Sequence, residues 1–180
     1  MIFRKYYRDL SNIAWLLLVG LYKASYIFMK ELYFKQQLPI DLAQAWEFFS
    51  SPLNLKEITP AYMDFTVLSR HQGSKMYPGQ IINYTVKPIL GIPLQWTTEI
   101  TQVVEQQYFI DEQRFGPYAF WHHQHRFTPI PGGTLMEDLL HYKIPFGPIG
   151  ALVDRLYIHQ QVQDIFAYRT KVLTERFGIL

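Results

Sequence analysis

The sequence predicts an α+β fold in which a curved antiparallel sheet of seven strands wraps around one long C-terminal helix, with two short helices after the first strand. Two observations carry this prediction. Apolar and polar residues alternate through most of 65–144, as they do in half-buried strands. After Pro148 the period becomes helical, and a helix with an apolar side must bury that side against a large partner, for which only the sheet is available.

Strands are predicted over 28–38, 65–70, 80–87, 94–104, 108–115, 118–128 and 134–144. The first of them is predicted at an edge of the sheet. In the fourth, Leu94, Trp96, Thr98 and Ile100 alternate with polar residues, which places one face of the sheet inward. The intervening segments are rich in proline and glycine, which interrupt strands.

Two short helices are predicted after the first strand. Asp41 is a suitable N-cap, and Gln44 stands three residues on, where its side chain can bond back to the cap. The apolar stripe that follows includes Trp46, which is predicted to lie in the core. Asn54 and Glu57 repeat the capping pattern and predict a second helix over 55–59.

The long C-terminal helix begins near Pro148, which suits a first helical turn, and ends near Gly178, which suits the position after a helix. At 1.5 Å per residue such a helix would be roughly 43 Å long. The sequence predicts one apolar side for it, made by Leu152, Leu156, Val162, Ile165, Phe166, Leu173 and Phe177.

Composition excludes several classes of protein. The chain has 180 residues, enough for one domain with a sizeable core, and 17% of them are aromatic. The net charge is +2 without a basic run, so no nucleic-acid partner is predicted. Cysteine is absent, which excludes thiolate chemistry and fits a cytoplasmic protein. No Gly-rich phosphate loop and no nucleophile elbow occur.

Residues 1–28 are predicted to be an apolar N-terminal extension outside the domain, which spans 29–178. The apolar run 13–22 is shorter than the 18 or so residues of a spanning helix, and basic residues flank it. Three interpretations stay open: a helix on the protein or on a membrane surface, a weak membrane anchor, or an upstream extension that is not part of the natural product.

This order of elements resembles the helix-grip superfamily, also called START-like or SRPBCC, which includes a birch pollen allergen, lipid-transfer domains and polyketide cyclases. The resemblance covers roughly 29–178. Within the superfamily, the sequence resembles a bacterial branch labelled cyclase/dehydrase or cell-division-inhibitor-like. This resemblance is carried by the strings at 52–55 (PLNL), 58–60 (ITP), 111–118 (DEQRFGPY), 121–123 (WHH) and 145–147 (PFG). The resemblance implies the helix-grip fold strongly and a particular chemistry only weakly.

Strand alternation predicts which side chains face the interior. A turn at Pro131 and Gly132 would set four pairs opposite each other across the last two strands: Phe127 and Met136, His125 and Asp138, His123 and Leu140, Trp121 and Tyr142. A two-residue turn at Gly116 and Pro117 would set Glu112 beside Trp121, with Arg114 on the same face. The predicted ligand-binding wall is therefore Tyr84, Trp96, Glu112, Arg114, Trp121, His123, His125, Phe127, Asp138, Leu140 and Tyr142.

The polar members of this wall allow alternatives. His125 and Asp138 could be a satisfied buried pair, an anchor for a ligand, or an acid–base dyad, and they are the candidates for catalysis. Glu112 and Arg114 could form an ion pair, or Arg114 could grip a ligand oxygen. His123 and His125 share a face and could bind a metal ion, with Asp138 or Glu112 as a third ligand. Aromatic-rich strands also hold histidines without a metal, and no metal site and no cofactor are predicted.

The preferred functional hypothesis is the binding or transport of a small hydrophobic molecule, such as a lipid, a quinone or a polyketide, between the sheet and the C-terminal helix. The second hypothesis is a cyclase/dehydrase-type enzyme that uses His125 and Asp138. The third is an interaction module without a cavity that contacts a membrane through 13–22. The preferred hypothesis leaves the protein without an enzymatic activity of its own.

Overall fold

The computed structural model describes residues 29–69, 75–89 and 91–180. Seven antiparallel strands form one sheet in the order β1-β7-β6-β5-β4-β3-β2, so that β1 lies at an edge as predicted. The strands are β1 Lys30–Leu38, β2 Thr66–Val67, β3 Gln80–Ile89, β4 Ile92–Val104, β5 Tyr108–Phe115, β6 Phe120–Ile130 and β7 Gly133–Lys143. The predicted fold class is confirmed. The expectations for residues 1–28 lie outside the described residues.

Helix α1 (Leu42–Phe49) begins as the sequence predicts. The Gln44 backbone N–H donates to Asp41 Oδ1 at 2.8 Å, and the Gln44 side chain accepts from the Asp41 backbone N–H at 3.3 Å, which completes a capping box. Its apolar side places Trp46 and Phe49 in the core. The two rings pack against Phe127 of β6, with ring centroids 5.7 and 5.3 Å away.

The second predicted helix, over 55–59, is wrong in place and type. The chain instead forms two 3₁₀ turns, Pro52–Lys56 and Ala61–Met63. Asn54 does not cap a helix, because its side-chain amide donates to the Phe48 backbone oxygen at 2.8 Å and so closes the end of α1. Among the described residues, the strand predicted over 65–70 is also shorter, since its ladder with β3 comprises Thr66 and Val67. Just beyond that ladder, the Leu68 backbone N–H donates to the Asn83 oxygen at 2.7 Å.

The C-terminal helix is continuous through three segments: α2 (Gly147–Val153), a π-helical turn (Asp154–Ile158) and α3 (His159–Phe177). Its end is marked by Gly178, which has a φ of 95° and donates its backbone N–H to the Thr174 oxygen. No helix within 29–69, 75–89 and 91–180 combines the length and the apolar character that a transmembrane segment requires.

The helix presents a different face to the sheet than the sequence predicts in its first half. Val162, Phe166 and Leu173 are buried as expected. Leu152 and Leu156, by contrast, are 57% and 74% exposed. The π-helical turn directs Asp154 inward instead, where its Oδ1 accepts a hydrogen bond of 2.9 Å from the Tyr142 hydroxyl.

Candidate ligand-binding site

An internal space of about 150 Å³ lies between the concave side of the sheet and the C-terminal helix. Strands β3, β4 and β6 supply one wall, and α3 supplies the opposite wall through Val162, Ile165 and Phe166. The first 3₁₀ turn closes the space with Leu55. The cluster around Trp46 and Phe127 packs at the other end of the interior, and its members Phe49 and Phe109 reach the space.

Aromatic rings form much of the wall. Trp121 packs edge-to-face on Trp96 at a centroid distance of 5.2 Å and lies 4.7 Å from Tyr118. Tyr84 stacks on the other side of Trp96 at 5.9 Å. Two of these rings are fixed through Thr98, since Trp96 Nε1 donates to Thr98 Oγ1 at 3.1 Å and Tyr84 shares a hydrogen bond with the same hydroxyl at 2.8 Å. The rings are therefore held in fixed orientations, with apolar faces available to a ligand.

The predicted register of β6 and β7 is confirmed. Trp121 pairs with Tyr142, His123 with Leu140, His125 with Asp138 and Phe127 with Met136. The tight turn between these strands allows Gly133 to approach the Leu38 backbone oxygen so closely that a Cβ there would lie 2.0 Å from it. The turn thus fixes the register, and the register sets the inward face.

The predicted register of β5 and β6 is wrong by one residue. Glu112 pairs with His122, not with Trp121, because the connection is longer than a two-residue turn. The Gln113 side chain donates to the Tyr118 backbone oxygen and accepts from its N–H, which bridges the connection on the β6 side. A one-residue shift reverses the faces of a strand, and Asp111 therefore faces inward opposite His123.

Glu112 and Arg114 consequently lie on the outer face, contrary to the prediction. Arg114 pairs with Glu112 at 2.9 Å and with Glu99 at 2.5 Å, and about half of its side chain is exposed. The predicted ion pair therefore exists, but it does not line the internal space. Glu112 also lies 2.8 Å from His122 Nδ1, which gives the outer face an imidazole–carboxylate pair of its own.

A buried cluster of two histidines and two aspartates meets the internal space at its polar end. His125 Nε2 lies 2.9 Å from Asp111 Oδ2, and His125 Nδ1 lies 2.7 Å from Asp138 Oδ1. His123 bridges the same carboxylates, with Nε2 2.9 Å from Asp138 and Nδ1 3.5 Å from Asp111. From α3, Arg169 donates to Asp138 Oδ1 at 3.1 Å.

The cluster shifts the pKa of each member. Burial would raise the pKa of Asp138, but Arg169 and the two histidines overcome it and hold that pKa well below its usual range. Burial would also raise the pKa of Asp111, and the hydrogen bond from His125 reverses this. Burial lowers the pKa of His123, whereas the two carboxylates raise the pKa of His125 despite its burial. The carboxylates are therefore charged, and the two histidines differ in proton affinity.

Several predicted wall residues face inward without reaching the internal space. Phe127 packs in the solid cluster with Trp46, while Leu140 and Tyr142 lie under the C-terminal helix against Ile158. Asp138 sits behind the two histidines. Of the predicted residues, those that line the space are Tyr84, Trp96, Trp121, His123 and His125.

A second apolar space, of about 300 Å³, adjoins the first. It lies beneath the start of the C-terminal helix and includes Phe146 and Ile149 in its lining. Pro88, Tyr118 and Gln161 line both spaces. The Gln161 side-chain amide donates to the Pro88 backbone oxygen, so this hydrogen bond between α3 and β3 lies where the two spaces meet.

Residues 38–166 match the sequence family described as polyketide cyclase/dehydrase and lipid transport. The chain belongs to this family. Among curated proteins, none matches the sequence.

Several solved structures have the same fold as this chain. A protein of Chromobacterium violaceum is 12% identical, with a TM-score of 0.62 over 82% of this chain and 96% of its own. A Thermus thermophilus protein is 16% identical, with a TM-score of 0.60 over 82% and 97% of the two chains. The ginseng major latex-like protein of Panax ginseng is 14% identical, with a TM-score of 0.59 over 83% and 98%. At these identities the likeness establishes the helix-grip fold alone.

Many residues that line the space of this family member were not in the predicted wall, among them Asp111, Tyr118, Gln161 and Arg169. Arg169 carried a usable signal. It follows Phe166 by three residues and precedes Leu173 by four, which places a single charge on the buried stripe of a helix. A charge in that position indicates a buried partner, and the partner is Asp138.

Proposed function

We propose that this domain binds a small, ring-containing apolar molecule in the space between the sheet and the C-terminal helix. The observation that carries this proposal is the aromatic wall of Tyr84, Trp96, Tyr118 and Trp121, which meets a buried polar cluster at one end. Apolar pockets with a few convergent polar groups are the usual form of small-molecule sites. The family description, which names cyclases, dehydrases and lipid transport, supports the same class of ligand.

The size of the space favours a compact ligand over a long acyl chain. A dry apolar cavity of about 150 Å³ accommodates one benzene-sized molecule, and the first space is of that volume. Opening the hydrogen bond between Gln161 and Pro88 would join it to the second space, which is twice as large. A quinone-like or polyketide-like ring system fits this arrangement better than an extended lipid does.

The polar cluster favours a hydroxyl group at the inner end of the ligand. Asp111 reaches the lining, so a ligand hydroxyl could donate to its carboxylate, whereas both ring nitrogens of His125 already face carboxylates. A hydrogen bond to a charged partner contributes about 1.5–3 kcal/mol. The cluster would therefore orient the ligand and select oxygenated rings over plain hydrocarbons.

Binding of a defined probe tests the proposal. We expect 2-naphthol to bind the full chain with one site and a micromolar Kd, measured by calorimetry and by quenching of tryptophan fluorescence. Naphthalene, which lacks the hydroxyl, should bind about tenfold more weakly. Oleic acid should bind more weakly still. Tight binding of oleic acid without binding of either ring compound would contradict the proposal, as would no binding of any of the three.

A second candidate function is acid–base catalysis of the cyclase/dehydrase type. The observation that favours it is the position of His125, whose two ring nitrogens lie 2.9 and 2.7 Å from different carboxylates at the edge of the ligand space. A histidine with a raised pKa in a cleft could exchange a proton with a bound ring. Native mass spectrometry of the molecules that co-purify with the wild type and with His125→Gln tests this candidate. If His125 catalyses a reaction, the two proteins should carry chemically different molecules, and the same molecule in both would contradict it.

We also propose that the start of the C-terminal helix contacts a lipid surface. Phe146, Ile149 and Leu156 are 81%, 73% and 74% exposed, and the first two line the second space. Lys30 Nζ, at the start of β1, lies 3.9 Å from Asp154 of the same helix. The described part of the chain therefore begins at this end of the domain.

Co-sedimentation of the full chain with vesicles of phosphatidylcholine and phosphatidylglycerol tests this contact. Ile149→Glu combined with Leu156→Glu should reduce the bound fraction severalfold, because two charges would have to enter the lipid interface. Leu68→Glu changes an exposed apolar residue that follows β2, and it should leave binding unaltered. If the wild-type chain stays in the supernatant, the membrane proposal fails and the ligand proposal is unaffected.

A further inference from the structure

Three side chains on two neighbouring strands direct ligand atoms at a common point. Asp111 comes from β5, and His123 and His125 come from β6, two residues apart on the inward face. Asp111 Oδ2 lies 2.9 Å from His125 Nε2 and 3.5 Å from His123 Nδ1. All three ligand atoms lie within 4.8 Å of one another.

This spacing is close to that of a metal coordination sphere. Nitrogen and oxygen ligands bind zinc at about 2.0–2.2 Å, so two ligands of one ion stand about 3.0–3.5 Å apart. Of the two distances to Asp111, that of His123 Nδ1 (3.5 Å) lies at the upper limit of this interval, and that of His125 Nε2 (2.9 Å) lies just below its lower limit. Small side-chain rotations would bring the two imidazole nitrogens to the same separation.

The second carboxylate stands where metal-bound histidines need one. Asp138 Oδ1 shares a hydrogen bond of 2.9 Å with His123 Nε2. It also lies 2.7 Å from His125 Nδ1, although that contact lacks hydrogen-bond geometry and a small ring rotation would be needed to form the bond. A histidine that binds a metal nearly always donates its other N–H to such an acceptor. Arg169 holds Asp138 from the opposite side at 3.1 Å.

A count of protons supports a cation between Asp111 and the histidines. The cluster presents four ring nitrogens to carboxylate oxygens, whereas two neutral imidazoles carry only two N–H groups. If both N–H groups point at Asp138, the remaining two lone pairs and the Asp111 carboxylate face one another. Three converging acceptors need a positive charge or a donor between them, which either a second proton on one imidazole or a bound cation would supply.

We propose that Asp111, His123 and His125 bind one divalent first-row transition-metal ion at the polar end of the ligand space. Two imidazoles and one carboxylate suit Zn²⁺, Fe²⁺ or Co²⁺, whereas Mg²⁺ and Ca²⁺ prefer oxygen ligands throughout. Three protein ligands leave coordination positions open toward the aromatic wall, and an oxygen of the bound molecule could occupy one of them. Asp138 is a positioning residue in this site, since it acts through the two histidines.

Metal titration of the full chain, stripped with a chelator and free of any organic ligand, tests the proposal. We expect one Co²⁺ per chain with visible d–d absorption, displacement by Zn²⁺, and a Zn²⁺ Kd below about 1 μM by competition. Asp111→Asn and His125→Gln should each weaken Zn²⁺ binding at least 100-fold. Asp138→Asn should weaken it about 10- to 100-fold and also shift the Co²⁺ bands, because the histidine rings lose their orientation.

The outer face supplies a matched control. His122 and Glu112 form an imidazole–carboxylate pair at the next register position of the same two strands, with 2.8 Å between Nδ1 and Oε1. His122→Gln and Glu112→Gln should leave the Co²⁺ spectrum and the stoichiometry unchanged. Circular dichroism checks that each variant is folded. If a histidine variant is unfolded, Asp111→Asn decides the test, because the asparagine amide has nearly the same shape as the aspartate carboxylate.

Two results would overturn the metal site. One is the absence of any bound ion at 100 μM Co²⁺ or Zn²⁺. The other is binding that persists in Asp111→Asn and disappears in His122→Gln, which would assign the ion to the outer face. Because the titration uses the metal alone, its failure is distinguishable from a failure of 2-naphthol to bind.

Discussion

Asp111 and His123 are directly opposed residues of β5 and β6, with 3.5 Å between Asp111 Oδ2 and His123 Nδ1. This pairing makes Asp111, and not its neighbour Glu112, the carboxylate of β5 that reaches the ligand space. The two acidic residues are adjacent in sequence and lie on opposite faces of the sheet. They therefore form a natural pair for separating a role in the site from a general effect of charge.

Asp111→Asn should weaken 2-naphthol binding about tenfold or more, because the hydroxyl loses a charged acceptor. Glu112→Gln should change the Kd by less than twofold, since its carboxylate pairs with His122 and Arg114 on the outer face. Calorimetry on the two variants measures the difference. Equal losses of affinity in both variants would show that the carboxylate acts through the overall charge of the strand.

Trp121→Ala should harm ligand binding more than folding. Trp121 is half-buried and lines the space, so its removal mainly enlarges an existing cavity. Trp46 is 3% exposed and lies in the solid cluster, and its replacement by alanine should cost about 3–5 kcal/mol. Urea unfolding and 2-naphthol titration of both variants test this contrast. If Trp121→Ala were unfolded while Trp46→Ala stayed folded, Trp121 would be the core residue and Trp46 would not, which contradicts this assignment.

Much of this fold follows from local pattern in the sequence. The capping box at Asp41 is a short-range signal, and it appears in the structure as two hydrogen bonds within one turn. The register of β6 and β7 follows from a tight turn at Gly132, where the φ of 84° suits glycine. Both features depend on residues a few positions apart, which a single sequence can reveal.

The candidate site depends on relationships that are not local. The connection between β5 and β6 is closed by the Gln113 side chain, a contact without a sequence signature, and it moves the register by one residue. The predicted register therefore turns Glu112 inward beside Trp121, whereas in the structure Asp111 is the acidic residue of β5 that faces inward. Arg169 reaches Asp138 across 31 positions of sequence, from a helix whose packing against the sheet no strand pattern defines. Such contacts depend on tertiary packing, which overrides local preference.

Gln161→Ala should accelerate exchange of the ligand. The Gln161 side chain bonds the Pro88 backbone oxygen between the two spaces, so its loss should raise the association and dissociation rates of 2-naphthol severalfold with little change in Kd. Stopped-flow fluorescence measures both rates. Gln160→Ala removes a neighbouring amide that bonds Asp164 on the exposed side of the helix, and it should leave both rates unchanged. Rates that are the same in wild type and Gln161→Ala would place the route of the ligand elsewhere.

Arg169→Met should destabilise the domain by about 3–5 kcal/mol, because it leaves the Asp138 carboxylate buried without its guanidinium partner. Arg169 is the charged link between the C-terminal helix and the histidine cluster, and its side chain and that of Asp138 are 10% and 7% exposed.

Lys171→Met is the control on the same helix. Its ion pair with Glu175 is mostly exposed, so the loss should be below about 1 kcal/mol. Urea unfolding of both variants measures the free energies, and restoring stability to Arg169→Met by adding Asp138→Leu would show that the cost arises from the unpaired carboxylate. A loss that stays the same in the double variant would instead assign the contribution of Arg169 to its packing over the Phe166 ring, 5.0 Å from the guanidinium carbon.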